Sequence, residues 1–213
     1  MPTQPRLGRD FIARHGETVF NAVGRLQGEA AHTPLTRAGF AQAEEMGRAL
    51  RLLLGPAPAL TLWSSPTGRA LQALAVVAEC LGLDWHASRT DARLGEINMA
   101  GWGGRAYADL AAERGGIVDR ASGLLHPHPD GEDYHAIAAR VGGWLADTAA
   151  NGDDRLVIGH GISSRVLRGL MTGAAVDPLA GVPIAPGLPQ GSVSLVENGR
   201  ETVAHRGAGR APA

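Results

Sequence analysis

Two histidines in this chain, each followed by glycine and each closing an apolar run, have the make-up of a nucleophilic site for an anion. Phe11-Ile12-Ala13 leads into Arg14-His15-Gly16-Glu17-Thr18, with Asn21 close behind. Arg155-Leu156-Val157-Ile158-Gly159 leads into His160-Gly161. An imidazole is a neutral nucleophile near pH 7, and the planar donor fork of Arg14 suits a phosphate. Gly16 permits a sharp turn and a close backbone approach to a ligand. A single histidine at a strand end is more often a hydrogen-bonded structural residue. Two His-Gly pairs, with the Gly161 amide facing the same edge as His15, argue for one shared anion with a covalent nucleophile beside it.

A third apolar run, Leu60–Trp63, ends in Ser64-Ser65-Pro66-Thr67-Gly68-Arg69-Ala70. Ser65 can cap the following helix and Pro66 suits its first turn. Arg69 then falls in that first turn, against the positive end of the helix dipole. That placement makes sense if arginine and helix terminus share an anion; the alternative is a surface salt bridge. The long connection 16–35 contains Arg25, Gln27 and Gly28, and a loop of that length in a compact domain is usually functional. Arg25 reads equally well as a solvated loop cation, and Glu96, in Arg93-Leu94-Gly95-Glu96-Ile97, as a solvated surface charge.

In order along the chain, these stretches resemble the signature of the histidine phosphatase superfamily, in its phosphoglycerate-mutase-like branch. The matching segments are Arg14-His15-Gly16-Glu17-Thr18 with Asn21, then Ser64-Ser65-Pro66 through Arg69-Ala70, Leu94 through Glu96-Ile97, and Val157 through His160-Gly161. The resemblance implies that Arg25, Gln27 and Gly28 belong to a loop over the phosphate pocket, that Arg69 grips the phosphate, and that Glu96 protonates the leaving group. The chain departs from the pattern at His32, where Asp is usual. It departs again at Met99, Ala100 and Gly103, although Trp102 and Gly104 match. The mutases typically carry Arg-His-Tyr-Gly after the acidic glutamate. Here Ile97-Asn98-Met99 follows, and no basic residue comes before Arg105.

The expected chemistry is hydrolysis of a small phosphomonoester through a phosphohistidine on His15, with Glu96 acting first as acid and then as base. Arg14, Arg69 and a charged His160 hold the equatorial oxygens, and Asn21 and the Gly161 amide add hydrogen bonds. Two guanidiniums and an imidazolium supply the charge, so neither metal nor cofactor is expected. A cofactor-dependent phosphoglycerate mutase is the runner-up, and a non-catalytic phosphate-binding module stands third. Gly159-His160-Gly161 is a poor dinucleotide fingerprint, with Ser164 at the third glycine position. There is no Gly-x-Ser-x-Gly elbow for an acyl hydrolase.

At 213 residues, with 44% hydrophobic and 19% charged residues, the chain can form one α/β domain with an ample core. A formal net charge of −1 gives no global field for nucleic acid or an anionic membrane. No apolar run approaches the roughly 20 residues of a membrane span, and no secretory h-region precedes Asp10. A cytoplasmic protein is the default expectation, with a phosphorylated small molecule as partner and homodimerisation left open. Cys80, the sole cysteine, excludes an intrachain disulfide and reads as a small core residue. His126-Pro127-His128 with Asp130 lacks metal-ligand spacing. Pro129-Asp130-Gly131-Glu132 instead resembles the family's Pro-Gly-Gly-Glu-Ser, which opens a helix.

Strands are expected at 10–14, Leu60–Trp63 and Arg155–Gly159, with a weak candidate at 83–90. Helices are expected at Thr36–Leu54, after Pro66, near 105–114, at 132–150 and at Ile162–Met171. Gly191–Val196 and Glu201–His205 flank an Asn198-Gly199 hairpin turn. The alternation predicts a single domain over 1–213: a three-layer α/β/α sandwich on a mainly parallel sheet, with the C-terminal hairpin at its edge. Residues 1–9 and 207–213 are expected to be flexible.

Overall fold

The computed structural model describes residues 6–210. Its strands are β1 (Asp10–Arg14), β2 (Thr61–Ser64), β3 (Arg89–Thr90), β4 (Arg155–Gly159), β5 (Val193–Glu197) and β6 (Arg200–His205). Its helices are α1 (Val19–Ala22), α2 (Arg37–Leu54), α3 (Gly68–Leu81), α4 (Tyr107–Arg114), α5 (Tyr134–Asp147) and α6 (Ile162–Thr172). The strands form one sheet in the order β3-β2-β4-β1-β5-β6. β3, β2, β4 and β1 run parallel, while β5 and β6 add antiparallel at the edge as the expected hairpin.

Alternation along the central strands divides the core between the two faces of the sheet. Phe11, Ala13, Leu156 and Ile158 pack with Met46, Leu50, Leu74 and Val77 of α2 and α3. Ile12 and Val157 point the other way, to Ile137, Val141, Trp144, Val166 and Leu167 of α5 and α6. The chain leaves β1 along one face and leaves β4 along the other. The carboxyl ends of these paired strands therefore open a crevice at the switch point, the usual ligand position in such sheets.

The local signals place most boundaries. The Thr36 hydroxyl caps α2 by accepting from the Gly39 amide at 3.1 Å, and Gly55 ends the helix at φ 80°. Ala43, Met46 and Leu50 are buried as the period requires, but Leu53 is 53% exposed, past the reach of the sheet. α3 starts two residues later than Ser65 and Pro66 suggest: Thr67 is its N-cap, without a side-chain cap bond. The loop carbonyl of Ala31 accepts from the Gly68 amide at 2.8 Å instead. The weak 83–90 candidate shrinks to Arg89–Thr90, preceded by a 3₁₀ turn at Trp85–Ala87. α5 is shorter than expected, capped by Asp133 and ending before Thr148.

Cys80 is half-buried rather than fully enclosed, and its side chain lies where a Cβ on Gly47 would stand. The ends, expected to be flexible, make contacts where they are described. Arg6 pairs with Asp10 at 2.8 Å. The Gly207 amide donates to Ser192 at 2.9 Å, and the Gln190 amide to the Arg210 carbonyl at 3.1 Å. Residues 1–5 and 211–213 lie outside the described range. Among the described residues no helix is long and apolar enough to cross a membrane.

Candidate active site

Parallel pairing of β1 with β4 puts Arg14 opposite Gly159, so the two histidines that follow are neighbours. Their ring centroids are 5.3 Å apart, edge to face. β2 lies on the other side of β4, which brings the start of α3, and with it Arg69, to the same end of the sheet. Arg14, His15, Asn21, Gln27, Gly28, Arg69, Glu96 and Gly161 all line one cleft of about 570 Å³ including its mouth. Residues from six separate stretches thus converge.

Each histidine has a defined tautomer. His15 Nδ1 lies 2.6 Å from the Gly16 carbonyl oxygen. A carbonyl only accepts, so Nδ1 carries the proton and Nε2 keeps its lone pair for the cleft. Arg69 Nε donates to His160 Nδ1 at 3.3 Å, so the proton of His160 sits on Nε2, 3.5 Å from the Thr67 hydroxyl. His160 is fully buried and touches the cleft through its neighbours. Burial first, then the charges of Arg69 and Arg14, push the His15 pKa well below the usual 6.5. Burial, Arg69 and His15 do the same for His160. The expected imidazolium at His160 is therefore corrected: between these neighbours it is neutral at pH 7.

Positive charge comes from the two arginines. Neither forms a salt bridge among the described residues. Arg14 Nη1 donates to the carbonyls of Leu188 at 2.8 Å and Arg210 at 3.3 Å. Its Nε is buried without a partner. The Nε–Nη2 edge, the one that grips two oxyanion oxygens side by side, stays free and packs over Gly161, where a Cβ would press on it at 3.4 Å. Arg69 is wholly buried and held by neutral acceptors: Ala30 O at 2.6 Å, Thr33 Oγ1 at 2.9 Å, Gly28 O at 2.8 Å and His160. Burial lowers both guanidinium pKa values to about 10, and both remain charged at neutral pH. A buried guanidinium at Arg69 and a half-buried one at Arg14, both lacking carboxylate hydrogen bonds, are costly unless an anion completes them.

Glu96 is placed differently from expectation. Its Oε2 accepts from the amides of Gly161 at 2.9 Å and Ile162 at 3.0 Å. Its Oε1 accepts from Ser163 at 2.9 Å and from its own neighbour Ile97 at 3.0 Å. The carboxylate thus sits on the N-terminus of α6, the very donors expected to hold a phosphate. All four partners are donors, so both oxygens act as acceptors here. The Gly161 amide is engaged by Glu96 instead of facing the cleft free.

Around the rim, Thr18 ties the first loop together. Its backbone N–H and hydroxyl both reach Asn21 Oδ1, at 3.1 and 2.9 Å, and the hydroxyl also lies 2.8 Å from Gln27 Oε1. The Thr18 N–H fixes Asn21 Oδ1, so the Asn21 NH₂ group is left for the cleft; the single hydroxyl proton serves only one of the two oxygens, and Gln27 lines the cleft beside it. Gly28 acts through its carbonyl on Arg69 and adopts φ +52°. Arg25 does not join the site: it is exposed and donates to the Gly104 carbonyl at 2.7 Å. Gly16 is needed for packing rather than ligand approach, since a Cβ there would collide with the Gly39 carbonyl of α2. His32 is exposed. His128 packs on Trp102 with centroids 4.9 Å apart, and no cluster among the described residues could hold a metal ion.

Sequence reasoning missed Thr33, Thr67 and Tyr107. The first two orient Arg69 and His160, and a lone threonine carries no signal of that. Tyr107 opens α4 and lines the cleft. A second hollow, at the opposite end of the sheet, holds Arg6, Asp10 and Arg155. Asp10 pairs with both arginines, so one carboxylate is shared between two guanidiniums.

Comparison with known proteins gives the family. Residues 11–206 match the model of the histidine phosphatase superfamily (branch 1). A probable phosphoglycerate mutase GpmB from Citrobacter koseri is 31% identical over 184 residues, covering 81% of this chain and 75% of that protein. Its namesake from Enterobacter sp. is 30% identical over 181 residues, with the same coverage of 81% and 75%. Among solved structures, a mycobacterial glucosyl-3-phosphoglycerate phosphatase complexed with VO₃ superposes with a TM-score of 0.73 at 24% identity, over 94% of this chain and 99% of that one. A putative α-ribazole-5′-P phosphatase from Escherichia coli gives 0.69 at 22% identity, over 94% and 96%. With a match spanning nearly its whole length, the chain belongs to branch 1 of the histidine phosphatase superfamily.

Proposed function

We propose that this protein hydrolyses small phosphomonoesters through a phosphohistidine on His15. The observation that carries the reading is the pairing of a neutral His15, its Nδ1–H fixed to Gly16 so that Nε2 faces the cleft, with two guanidiniums that lack a carboxylate hydrogen bond. Nε2 attacks phosphorus in line, and the P–O bond to the leaving alcohol breaks. The Arg14 Nε–Nη2 edge and Arg69 hold the equatorial oxygens, assisted by the Asn21 and Gln27 amides. Charge on the His15 ring rises as the N–P bond forms, and the Gly16 carbonyl is placed to steady it. Glu96, on the cleft wall, turns from the α6 amides, takes up the proton of the monoanionic phosphomonoester and passes it to the leaving oxygen; in the second step it takes a proton from the water that displaces His15 from phosphorus. No step calls on a metal or cofactor.

The relatives' names favour a second reading, phosphoglycerate mutase activity through the same phosphohistidine. Among the described residues no cation besides Arg14 and Arg69 lines the cleft, which favours the hydrolase, because a mutase must also hold a carboxylate. Rapid quench of the enzyme with a ³²P-labelled phosphomonoester, followed by peptide mapping, should find acid-labile label on His15. His15→Ala should lose it together with turnover. Label elsewhere, or activity retained by His15→Ala, refutes the scheme; a requirement for 2,3-bisphosphoglycerate would replace hydrolase with mutase.

A further inference from the structure

Besides the groups that face the phosphate, the cleft is lined by core side chains and one tyrosine. Its walls are Leu26, Ile97, Leu125 and Ile162, all less than a tenth exposed, with the Tyr107 ring closing the side. The Tyr107 hydroxyl makes no hydrogen bond among the described residues. Burial, with the nearby Glu96 charge adding to it, pushes its pKa up to about 12, so it stays a phenol, able to donate and to accept. The chain has no lysine, so a cation for a second substrate anion must be an arginine. The nearby arginines are committed elsewhere. Arg25 donates to the Gly104 carbonyl, and Arg105 pairs with Glu113. Arg165 spends its fork on the carbonyls of Ala185, Gly123 and Ser122. Arg210 lies on the Asn21 carbonyl outside the lining.

We infer that the leaving group is an uncharged alcohol bearing one hydrogen-bonding group for Tyr107, and that Tyr107 is the residue selecting it. This rests on the hydrolase reading and narrows its substrate class. A carboxylate on the leaving group would lose its water in a cleft whose lining has no arginine beyond the two that hold the phosphate, which is unfavourable. A neutral hydroxyl in the same place meets the unpaired phenol, and a site built to pair a hydroxyl discriminates against substrates lacking it.

Three esters with one scissile bond test this: benzyl phosphate, 4-(hydroxymethyl)benzyl phosphate and 4-carboxybenzyl phosphate. For the wild type, kcat/KM should rank hydroxymethyl above unsubstituted, and both at least 100-fold above carboxy. Tyr107→Phe should erase the hydroxymethyl advantage, bringing the hydroxymethyl-to-benzyl ratio of kcat/KM, read within the variant, to about one. Leu125→Arg, if it keeps the wild-type circular dichroism, should raise carboxy relative to benzyl at least tenfold. A carboxy ester used as well as the neutral pair, or a hydroxymethyl preference unchanged in Tyr107→Phe, overturns the inference. Phosphohistidine on His15 accompanying that result leaves the hydrolase standing and removes only its substrate class. No turnover of any ester and no phosphohistidine removes both.

Discussion

Replacing Glu96 by glutamine separates binding from chemistry. In the wild type, a phosphoryl oxygen that takes the Gly161 amide must displace Glu96 Oε2, which holds that amide at 2.9 Å and its neighbour at 3.0 Å. Hydrogen bonds to a charged group contribute about 1.5–3 kcal/mol each, against about 0.5–1.5 for neutral pairs. Glutamine would therefore weaken the competition by about 1 kcal/mol per bond, or about 2 kcal/mol for the two. Its NH₂ would also face N–H donors, so fewer contacts survive. Removing the carboxylate charge further strengthens the field of Arg14 and Arg69 in the cleft. At about 1.4 kcal/mol per tenfold, orthophosphate should bind Glu96→Gln at least tenfold more tightly, as read by titration calorimetry at pH 7.5. Turnover should fall about 10²–10⁴-fold, the usual worth of a general acid, with alkyl phosphates hurt more than p-nitrophenyl phosphate, whose leaving group needs no proton. Loss of the α6 cap should cost about 1 kcal/mol and lower the Tm by about 2–4 °C. Orthophosphate affinity equal to or weaker than wild type would refute the claim that Glu96 occupies the phosphate's donors.

Two further outcomes follow from the same coordinates. His15 and His160 both have folded-state pKa values well below 6.5, so folding favours their neutral forms. Their stabilisation is complete above pH 6.5 and is lost as pH falls below it, by up to about 1.4 kcal/mol per pH unit for each histidine; urea midpoints measured from pH 7.5 to 5 should show the decline, and His160→Asn should make it shallower. Gly16→Ala forces a Cβ against the Gly39 carbonyl, and its stability should drop by about 2 kcal/mol or more, with solubility and Tm as the readout.

The legible parts of the protein were those written in local chemistry. The short runs Phe11–Ala13, Leu60–Trp63 and Leu156–Ile158 became β1, β2 and β4 because a strand inside a sheet covered by helices needs little besides apolar side chains. Asn198-Gly199 became a hairpin turn because φ at both positions is positive, which that pair tolerates. Arg14, His15, Arg69 and His160 were singled out because two His-Gly pairs at strand ends and an arginine at a helix start argue together for a shared anion, in the order of the family's signature. What failed were readings that required knowing a neighbour. Arg25 and Gly28 sit three residues apart, yet one faces solvent and the other orients Arg69, a difference set by the contact of 104–107 with the loop.

Sequence alone determined the strand ends, the charged groups they present and the alternation that makes an α/β sheet. Tertiary structure decided which of those groups are charged and which are free to act. His160 is neutral because Arg69, 91 residues away, donates to its Nδ1. Arg165 and Arg168, unremarkable on an amphipathic helix, are buried because the carbonyls of 122–123 and 185–186 and the carboxylate of Glu201 accept from them. Glu96 lies on α6 because β4 aims that helix's first amides at it. Protonation and hydrogen-bond commitments depend on through-space distances of a few ångströms, and the fold alone sets those.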